Sequence, residues 1–421
     1  MKRIVATLLV IAMVCSLAAC SKKEETKSEG GQTTIKLWSI TVDTDSNRQA
    51  YIDSIAEVEK MFPEYKIQME ATENEAYKEK IKNAMSANSV DADIFFTWSG
   101  GFLNEFVKQD RVYELDSAFN GIKGVDIEDK MFANVTFNGH IYAVPTTMNV
   151  VAMFANMDML KSVGYNDVPK TYDELIDCCD KLVAAGKIPF GCAGGETWCV
   201  TEYLEPLAEK TIGSDKLSAM FAGEGSYNDA GLAKAVDYLQ EWIGKGYFDP
   251  AGATTGNEQI KTNFIEGQYA FYQNGSWNCG DITAKAKFEA KVAEFPVIDS
   301  ANSQIGELIG GPSDVLAVYK GSKNAEAAAK IVVQLGKLIC QKAYANGNGL
   351  PAWKVSVDES KIDPLLKGVA DIVGNAKKLT LFGDTKMSGT DKDIYLAWVD
   401  KVYSSQTDGA GFIAGLSKEL R

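Results

Sequence analysis

The stretch that decides the fold is IKLWSITVDTDSNRQAYIDSIAEVEKMFPEYKIQMEATENEAYKEKIKNAMSANSVDADIFFTWSGG, residues 35–101. Three of its segments have the apolar spacing or apolar run of strands: Ile35–Ile40, Lys66–Glu70 and Asp93–Trp98. Between them, apolar side chains recur at helical spacing over Ser46–Phe62 and over Glu75–Asn88. A β-α-β-α-β order with apolar inner strands predicts a parallel sheet covered by helices on both faces.

Ligands bind to such sheets at the carboxyl ends of the strands. Trp38 and Trp98 stand near two of these ends, and Thr41 and Asp43 follow the first strand directly. The pattern therefore gives four first candidates for ligand binding.

A second α/β region follows residue 145. Thr171 and Glu174 have the spacing of a capping box, which predicts that a helix begins there. Removing an N-terminal leader leaves about 400 residues. This is more than a domain with a single hydrophobic core usually contains, so two lobes are expected. The other elements predicted from periodicity are strands at Val150–Phe154, Ala270–Gln273 and Val315–Tyr319 and a helix at Ala325–Tyr344.

The composition excludes several classes of function. The chain has 421 residues and a net charge of −14, with no basic stretch interleaved with aromatic residues, so neither nucleic acid nor an anionic phosphate ligand is expected as a partner. The chain contains no G-x-S-x-G, H-E-x-x-H, G-x-x-x-x-G-K or G-x-G-x-x-G motif. Its single histidine, His140, lies in a predicted turn. We therefore expect no catalytic residues and no cofactor, although carboxylate-pair chemistry stays open.

The eight cysteines do not have the spacing of a metal site, and no metal is expected. Cys192 and Cys199 flank a short loop, so a disulfide between them stays open. Cys179 lies on the apolar face of a predicted helix, where it is interpreted as a small buried hydrophobe.

The N-terminus has the pattern of a secretory signal peptide at residues 1–19. Lys2 and Arg3 precede an apolar run that is too short to span a bilayer, and small residues lead to Cys20. The sequence up to Cys20 resembles a bacterial lipobox, which implies cleavage before this cysteine and a lipid attached to it. A plain signal peptide that happens to contain a cysteine is the alternative. Residues 20–33 are polar and predict a flexible tether.

Several motifs in order resemble extracellular solute-binding proteins of the carbohydrate-importer type, the group that contains maltodextrin-binding protein. They are DIFFTWSGG (Asp93–Gly101), GHIYAVPTTMN (Gly139–Asn149), VPKTYDELID (Val168–Asp177), FIEGQYAFYQNGSW (Phe264–Trp277) and GGPSDVLAVYKGSKNAEAAAKIV (Gly310–Val332). The resemblance implies an α/β, type II periplasmic-binding-protein fold. Each of its two lobes would hold a mostly parallel sheet flanked by helices, and the ligand cleft would lie between the lobes.

The resemblance also implies where the lobes begin and end. The first lobe would hold residues 34–145 and 312–348, and the second residues 146–311 and 349–421. The three crossovers would fall at Pro145–Thr146, Gly310–Gly311 and Gly349–Pro351, where Gly and Pro are frequent, as in many hinges.

Site residues carry over from the resemblance one by one. Trp98 and Trp277 match the aromatic residues that face the cleft from the two lobes. Glu196 and Trp198 match a carboxylate and an aromatic presented to the sugar. The polar positions are Thr41, Asp43, Asn149 and Asp314.

Departures from the family pattern at Ala155, Met157 and Gly311–Asp314 weaken the case for Asn149 and Asp314. For Trp38 and Trp353 both ligand binding and core packing stay open, whereas Trp242 and Trp398 are interpreted as core.

The expected function is a binding subunit of an ATP-driven (ABC) sugar importer, held by Cys20 on the outer face of the bacterial cytoplasmic membrane. It would be a monomer without catalysis that captures an oligosaccharide and delivers it to the permease. A pyranose has apolar faces that stack on indole rings and a rim of hydroxyls that amides and carboxylates bind. A secreted glycoside hydrolase, and a binder of peptides, amino acids or polyamines, are the alternatives.

Overall fold

The computed structural model describes residues 31–420. The predicted signal peptide, Cys20 and residues 21–30 of the predicted tether lie outside the described residues. The strands are β1 (Thr33–Ser39), β2 (Tyr65–Ala71), β3 (Ile94–Trp98), β4 (Thr136–Phe137), β5 (His140–Ile141), β6 (Ala143–Asn156), β7 (Ile188–Gly191), β8 (Tyr269–Gly275), β9 (Ala290–Ala293), β10 (Glu307–Val318) and β11 (Lys378–Thr380).

The α-helices of the described chain are α1 (Arg48–Met61), α2 (Asn74–Ser86), α3 (Gly100–Lys108), α4 (Met157–Ser162), α5 (Tyr172–Ala184), α6 (Thr197–Ile212), α7 (Ser214–Phe221), α8 (Ala230–Gly244), α9 (Asn257–Ile265), α10 (Cys279–Lys285), α11 (Ala325–Ala345), α12 (Pro364–Gly374), α13 (Gly383–Lys386), α14 (Gly389–Tyr403) and α15 (Gly409–Glu419). The capping box at Thr171 and Glu174 is present at the start of α5, as predicted. Over residues 31–420 none of these helices combines the length and apolarity of a membrane span.

The predicted β-α-β-α-β run is confirmed. β1 pairs in parallel with β2 on one side and β3 on the other, and the main sheet has the order β2-β1-β3-β10-β6-β8-β7. β1 and β3 are largely buried because helices cover the sheet, which explains their apolar sequences. Because β1 and β3 are parallel, Trp98 and the loop after Ser39 lie at the same edge of the sheet.

Two long strands, β6 and β10, lie next to each other in the middle of the sheet and pair antiparallel. The end of β10 pairs with β3, with Asp314 opposite Trp98, while the end of β6 pairs with β8. Since each strand has one half in each lobe, these are the chain crossovers of a hinge. Beside them, near the predicted third crossover, Met148 and Leu350 exchange backbone hydrogen bonds of 2.9 and 3.0 Å.

The hinge requires glycine at one point in particular. Gly310 has φ +145°, and a Cβ there would lie 2.3 Å from the carbonyl oxygen of Asn149 on the neighbouring strand. The close approach of β6 and β10 therefore excludes a side chain at Gly310.

Separate hydrophobic clusters fill the two sides of the hinge, which confirms the predicted two-lobed α/β fold. One cluster contains the early strands and α11, and two others lie beyond the hinge. The lobe boundaries themselves stay a prediction, and Ala352 and Trp353 pack with the first cluster although they were assigned to the second lobe. Parallel pairing dominates the early strands, whereas β8 and β9 pair antiparallel with β6.

Candidate functional site

A cleft with about 1320 Å³ of empty space, part of it open to solvent, lies between the two lobes. Its wall on the first lobe is formed by the loop after β1, the start of α2 and the end of β3. The wall on the second lobe is formed by the starts of α6 and α9 and by the segment after β8, and the hinge strands form the floor. The cleft therefore lies at the carboxyl ends of strands, where the sequence predicted it.

Three half-buried tryptophans line the cleft, and all three were predicted. Trp98 is the last residue of β3. Phe96 and Phe102 pack against its ring in edge-to-face geometry, with ring centroids 5.1 and 5.0 Å away. On the second lobe, the rings of Trp198 and Trp277 lie 6.1 Å apart with a tilt of 51°. Both lobes thus present indole surface to the same space, which suits a ligand with flat apolar faces.

Glu196 fixes the orientation of Trp198. One carboxylate oxygen accepts a 3.0 Å hydrogen bond from the indole nitrogen of Trp198, and the other accepts a 2.7 Å bond from the backbone N–H of Asn257 at the start of α9. Burial raises the pKa of Glu196, although these two hydrogen bonds act in the opposite direction. The carboxylate and the ring are therefore presented to the cleft as one unit.

Asp314 lies on the floor of the cleft, as predicted. Its Oδ2 accepts hydrogen bonds from Thr147 at 3.3 Å and from Asn149 at 3.1 Å. Burial raises the pKa of Asp314 to about 6 despite these donors. Asn149 itself is fully buried and does not line the cleft, so its predicted contact with the ligand is corrected: Asn149 holds Asp314 in place.

The loop after β1 contributes differently from the prediction. Thr41 lines the cleft, and its hydroxyl shares a 2.7 Å hydrogen bond with that of Ser39. Asp43 points outwards with its side chain 90% exposed, paired with Arg48 at 2.8 Å, and this candidate is corrected. Asp45, two residues further on, lines the cleft instead, and burial raises its pKa to about 6.

Trp38 and Trp353 belong to the core, which decides the alternatives left open for them. Trp38 is 6% exposed, and the ammonium group of Lys80 lies 4.0 Å above its ring. Trp353 is 3% exposed, donates to the carbonyl oxygen of Pro145 at 2.7 Å and stacks on Phe119. Neither lines the cleft, because both side chains point into the packing of the first lobe.

Several charged residues of the cleft were not predicted. The lining contains seven acidic side chains and two lysines: Asp45, Glu73, Glu196, Glu202, Glu258, Asp314, Asp384, Lys78 and Lys261. Lys261 is buried and bonds to Glu258 at 2.8 Å and to Asp281 at 3.2 Å, so much of its charge is compensated within the second lobe. One signal in the sequence pointed to Glu202, since it lies four residues after Trp198 and thus on the same face of α6.

Lys78 belongs to α2 of the first lobe and reaches the tryptophans of both lobes. Its Nζ lies 5.4 Å from the ring centroid of Trp98 and 6.0 Å from that of Trp198, and it pairs with Glu75 at 2.7 Å. The ammonium group therefore fills part of the space between the two indoles.

The cysteines and the histidine lie apart from the cleft lining. The six cysteines within residues 31–420 are buried and unpaired, so the open question of a disulfide between Cys192 and Cys199 is answered against it. His140 is exposed and lies within 4.8 Å of carboxylate oxygens of Glu114 and Asp116. This group is on the surface of the β4–β5 hairpin region, away from the interlobe space.

Comparison with known proteins gives three consistent findings. The family described as bacterial extracellular solute-binding protein matches residues 43–333. Among curated relatives, an uncharacterized ABC transporter extracellular-binding protein of Pyrococcus horikoshii is 24% identical over 295 residues, covering 68% of this chain and 66% of its own. The maltodextrin-binding protein MdxE of Bacillus subtilis is 22% identical over 348 residues, covering 78% of this chain and 75% of its own.

A solved structure from work on xylan utilization by the thermophilic bacterium Caldanaerobius polysaccharolyticus is similar over almost the whole chain. It superposes with a TM-score of 0.88 at 27% identity, over 92% of this chain and 100% of that one. The shared region includes both lobes and the hinge between them.

Proposed function

The chain belongs to the bacterial extracellular solute-binding protein family, and from this premise we propose that it is the binding subunit of an ABC sugar importer. It captures an oligosaccharide in the interlobe cleft and presents it to the membrane permease. It acts as a monomer without catalysis or cofactor. The lipid on Cys20 anchors it to the outer face of the cytoplasmic membrane.

The observation that carries this proposal is the pair of indole walls that face one cleft. Trp98 comes from one lobe and Trp198 and Trp277 from the other, so a sugar chain that takes the place of the Lys78 ammonium group between them contacts indole rings of both lobes. A fully buried indole removes about 150–250 Å² from water, and these rings are already half-buried. At about 25 cal/mol per Å², two partly covered faces contribute a few kcal/mol. Micromolar binding needs about −8.2 kcal/mol, so polar contacts must supply the rest.

One contact across the cleft joins the two lobes. The hydroxyl of Ser46, on the first lobe, donates to the carbonyl oxygen of Trp277, on the second lobe, at 3.2 Å. A ligand that contacts both walls favours the closed state because only that state offers both sets of contacts.

Two of the similar proteins support a sugar as the ligand. MdxE carries the name of a maltodextrin-binding protein, and the similar solved structure comes from work on xylan utilization. Because this chain spans 66% of the length of the Pyrococcus relative, the importer partner and the ligand are part of the proposal. Several aromatic surfaces in one cleft favour an oligosaccharide over a single sugar.

One observation favours a second candidate ligand. The seven acidic and two basic side chains of the lining leave an excess of negative charge, which together with three indoles also suits a cation such as a polyamine. A hydrolase would need two of these carboxylates to flank a glycosidic bond. Both alternatives predict a different result in the same experiment.

The experiment is a thermal-shift screen of the purified protein against mono- and oligosaccharides, peptides, amino acids and polyamines. Selective binding to the native state raises the melting temperature by mass action. A shift with an oligosaccharide that mass spectrometry recovers intact supports the proposal. Recovery of cleaved sugar indicates a hydrolase, and a shift with polyamines alone contradicts the sugar assignment.

A further inference from the structure

Glu202 is a buried acid at the cleft with an oxygen left free. It lies in the second turn of α6, its residue surface is 3% exposed, and it lines the cleft. Within residues 31–420 its Oε2 has no hydrogen-bond partner. Buried carboxyl oxygens are nearly always satisfied in native proteins, so an unpartnered oxygen on a residue that lines a binding cleft calls for an explanation.

Glu205, three residues further along α6, is a buried acid with a purely structural role and serves as a comparison. It is 1% exposed and does not line the cleft. It accepts hydrogen bonds from the backbone N–H of Gly383 at 3.1 and 3.2 Å and from the hydroxyl of Tyr395 at 3.0 Å. Glu205, which does not line the cleft, therefore has hydrogen-bond partners, whereas Oε2 of Glu202, which lines the cleft, has none among residues 31–420.

The neighbours of Glu202 limit what can bind there. Besides burial, the charges that raise the pKa of Glu202 above its usual range are those of Glu205 and Asp384, both acids. Glu202 is therefore held in its neutral, protonated form, whose oxygens still accept hydrogen bonds. A neutral sugar hydroxyl donates to the free oxygen without adding charge to this buried position.

We propose that Glu202 is a ligand contact whose free oxygen accepts a hydrogen bond from a hydroxyl of a neutral sugar. Trp198 lies one turn before Glu202 on the same helix face, so the sugar that stacks on this indole brings its hydroxyl rim to the acid. This inference rests on the proposed function and assigns a specificity-determining residue to its cleft.

The test combines one substitution in the protein with single deletions in the ligand. Titration calorimetry measures the affinity of the wild type, Glu202→Gln and Glu205→Gln for the best oligosaccharide of the screen and for its monodeoxy analogues. For Glu202→Gln we expect at least tenfold weaker binding. Removing one particular hydroxyl from the sugar should weaken its binding to the wild type about tenfold, but its binding to Glu202→Gln less than threefold. The difference between these two losses is the coupling energy that a double-mutant cycle measures.

Glu205→Gln is the matched control, expected to change the melting temperature while leaving the affinity within twofold. Unchanged affinity in a folded Glu202→Gln, with no coupled hydroxyl, would assign Glu202 a structural role and overturn the inference. If that variant fails to fold, Glu202→Asp takes its place in the same cycle, because it keeps the acid and withdraws its oxygens by one methylene. Affinity within twofold of the wild type and no coupled hydroxyl would then overturn the inference. If no sugar binds the wild type at all, the proposed function fails instead.

Discussion

The side-chain amide of Asn149 donates a 3.1 Å hydrogen bond to Oδ2 of Asp314, although 165 positions separate the two residues in sequence. Asn149 is on β6 and Asp314 on β10, so this bond joins the two long hinge strands at the floor of the cleft. The same amide also donates to Thr147 at 3.2 Å, and its oxygen accepts from Ser276 at 3.3 Å. One buried side chain therefore connects the hinge to both lobes.

Replacing this side chain should weaken the whole fold. In Asn149→Ala, buried polar groups lose their partners, which costs about 1–3 kcal/mol for each unsatisfied group. We expect the free energy of unfolding in urea to fall by roughly that amount or more. Asn228→Ala removes an exposed asparagine and should stay within about 0.5 kcal/mol of the wild type. Equal stability of the two variants would contradict the role given to Asn149.

The pKa values of Asp45 and Asp314, both raised by burial to about 6, predict a pH dependence of stability. Between the usual value of 3.8 and about 6, the folded state binds more protons at these groups than the unfolded state. Their contribution is therefore fully present below about pH 4 and is lost as the pH rises through 6.

Asp314→Asn removes one of these groups and should flatten the curve. Each pKa unit corresponds to about 1.4 kcal/mol. As the pH rises from 4 to 7, the free energy of unfolding of the variant should therefore increase by about 1–3 kcal/mol relative to that of the wild type. Melting temperatures measured at intervals of half a pH unit test this. Parallel curves for variant and wild type would show that burial of Asp314 is not linked to folding.

The glycine at the strand crossing gives a second stability prediction. In Gly310→Ala the new Cβ would meet the carbonyl oxygen of Asn149 at 2.3 Å, so β6 and β10 must separate and we expect a loss of several kcal/mol. Gly244→Ala, at a helical position with no atom within 4 Å of the added Cβ, should be neutral or slightly stabilising. Urea unfolding of the two variants makes the comparison. A stable Gly310→Ala would mean that the hinge strands pack less tightly than described.

The sequence predicted the two-lobed fold and much of the cleft for a simple reason. Strand ends are visible in apolar runs, and Trp98, Trp277 and Thr41 follow such runs directly. The course of a loop is not visible in this way, so Asp43 was chosen where Asp45 lines the cleft. Trp38 and Trp353 could not be assigned because an indole near a strand end or a hinge has the same sequence context whether it faces the core or the ligand.

Buried acids were the hardest part to predict. The sequence TEYLEPLAEK of α6 reads as a surface helix, yet Glu202, Glu205 and Glu209 are all at most 3% exposed. Their burial depends on partners distant in sequence, such as Gly383 and Tyr395 for Glu205. Local periodicity carries no information about such partners.

The most direct test of the account is the affinity for the best oligosaccharide after removal of each cleft indole. Titration calorimetry of Trp98→Ala, Trp198→Ala and Trp277→Ala should show binding at least tenfold weaker, because each loses a stacking face. The matched control Trp38→Phe changes an indole of the core and should keep wild-type affinity within about twofold. Wild-type affinity in all three alanine variants, with their folds intact, would contradict binding between the two indole walls.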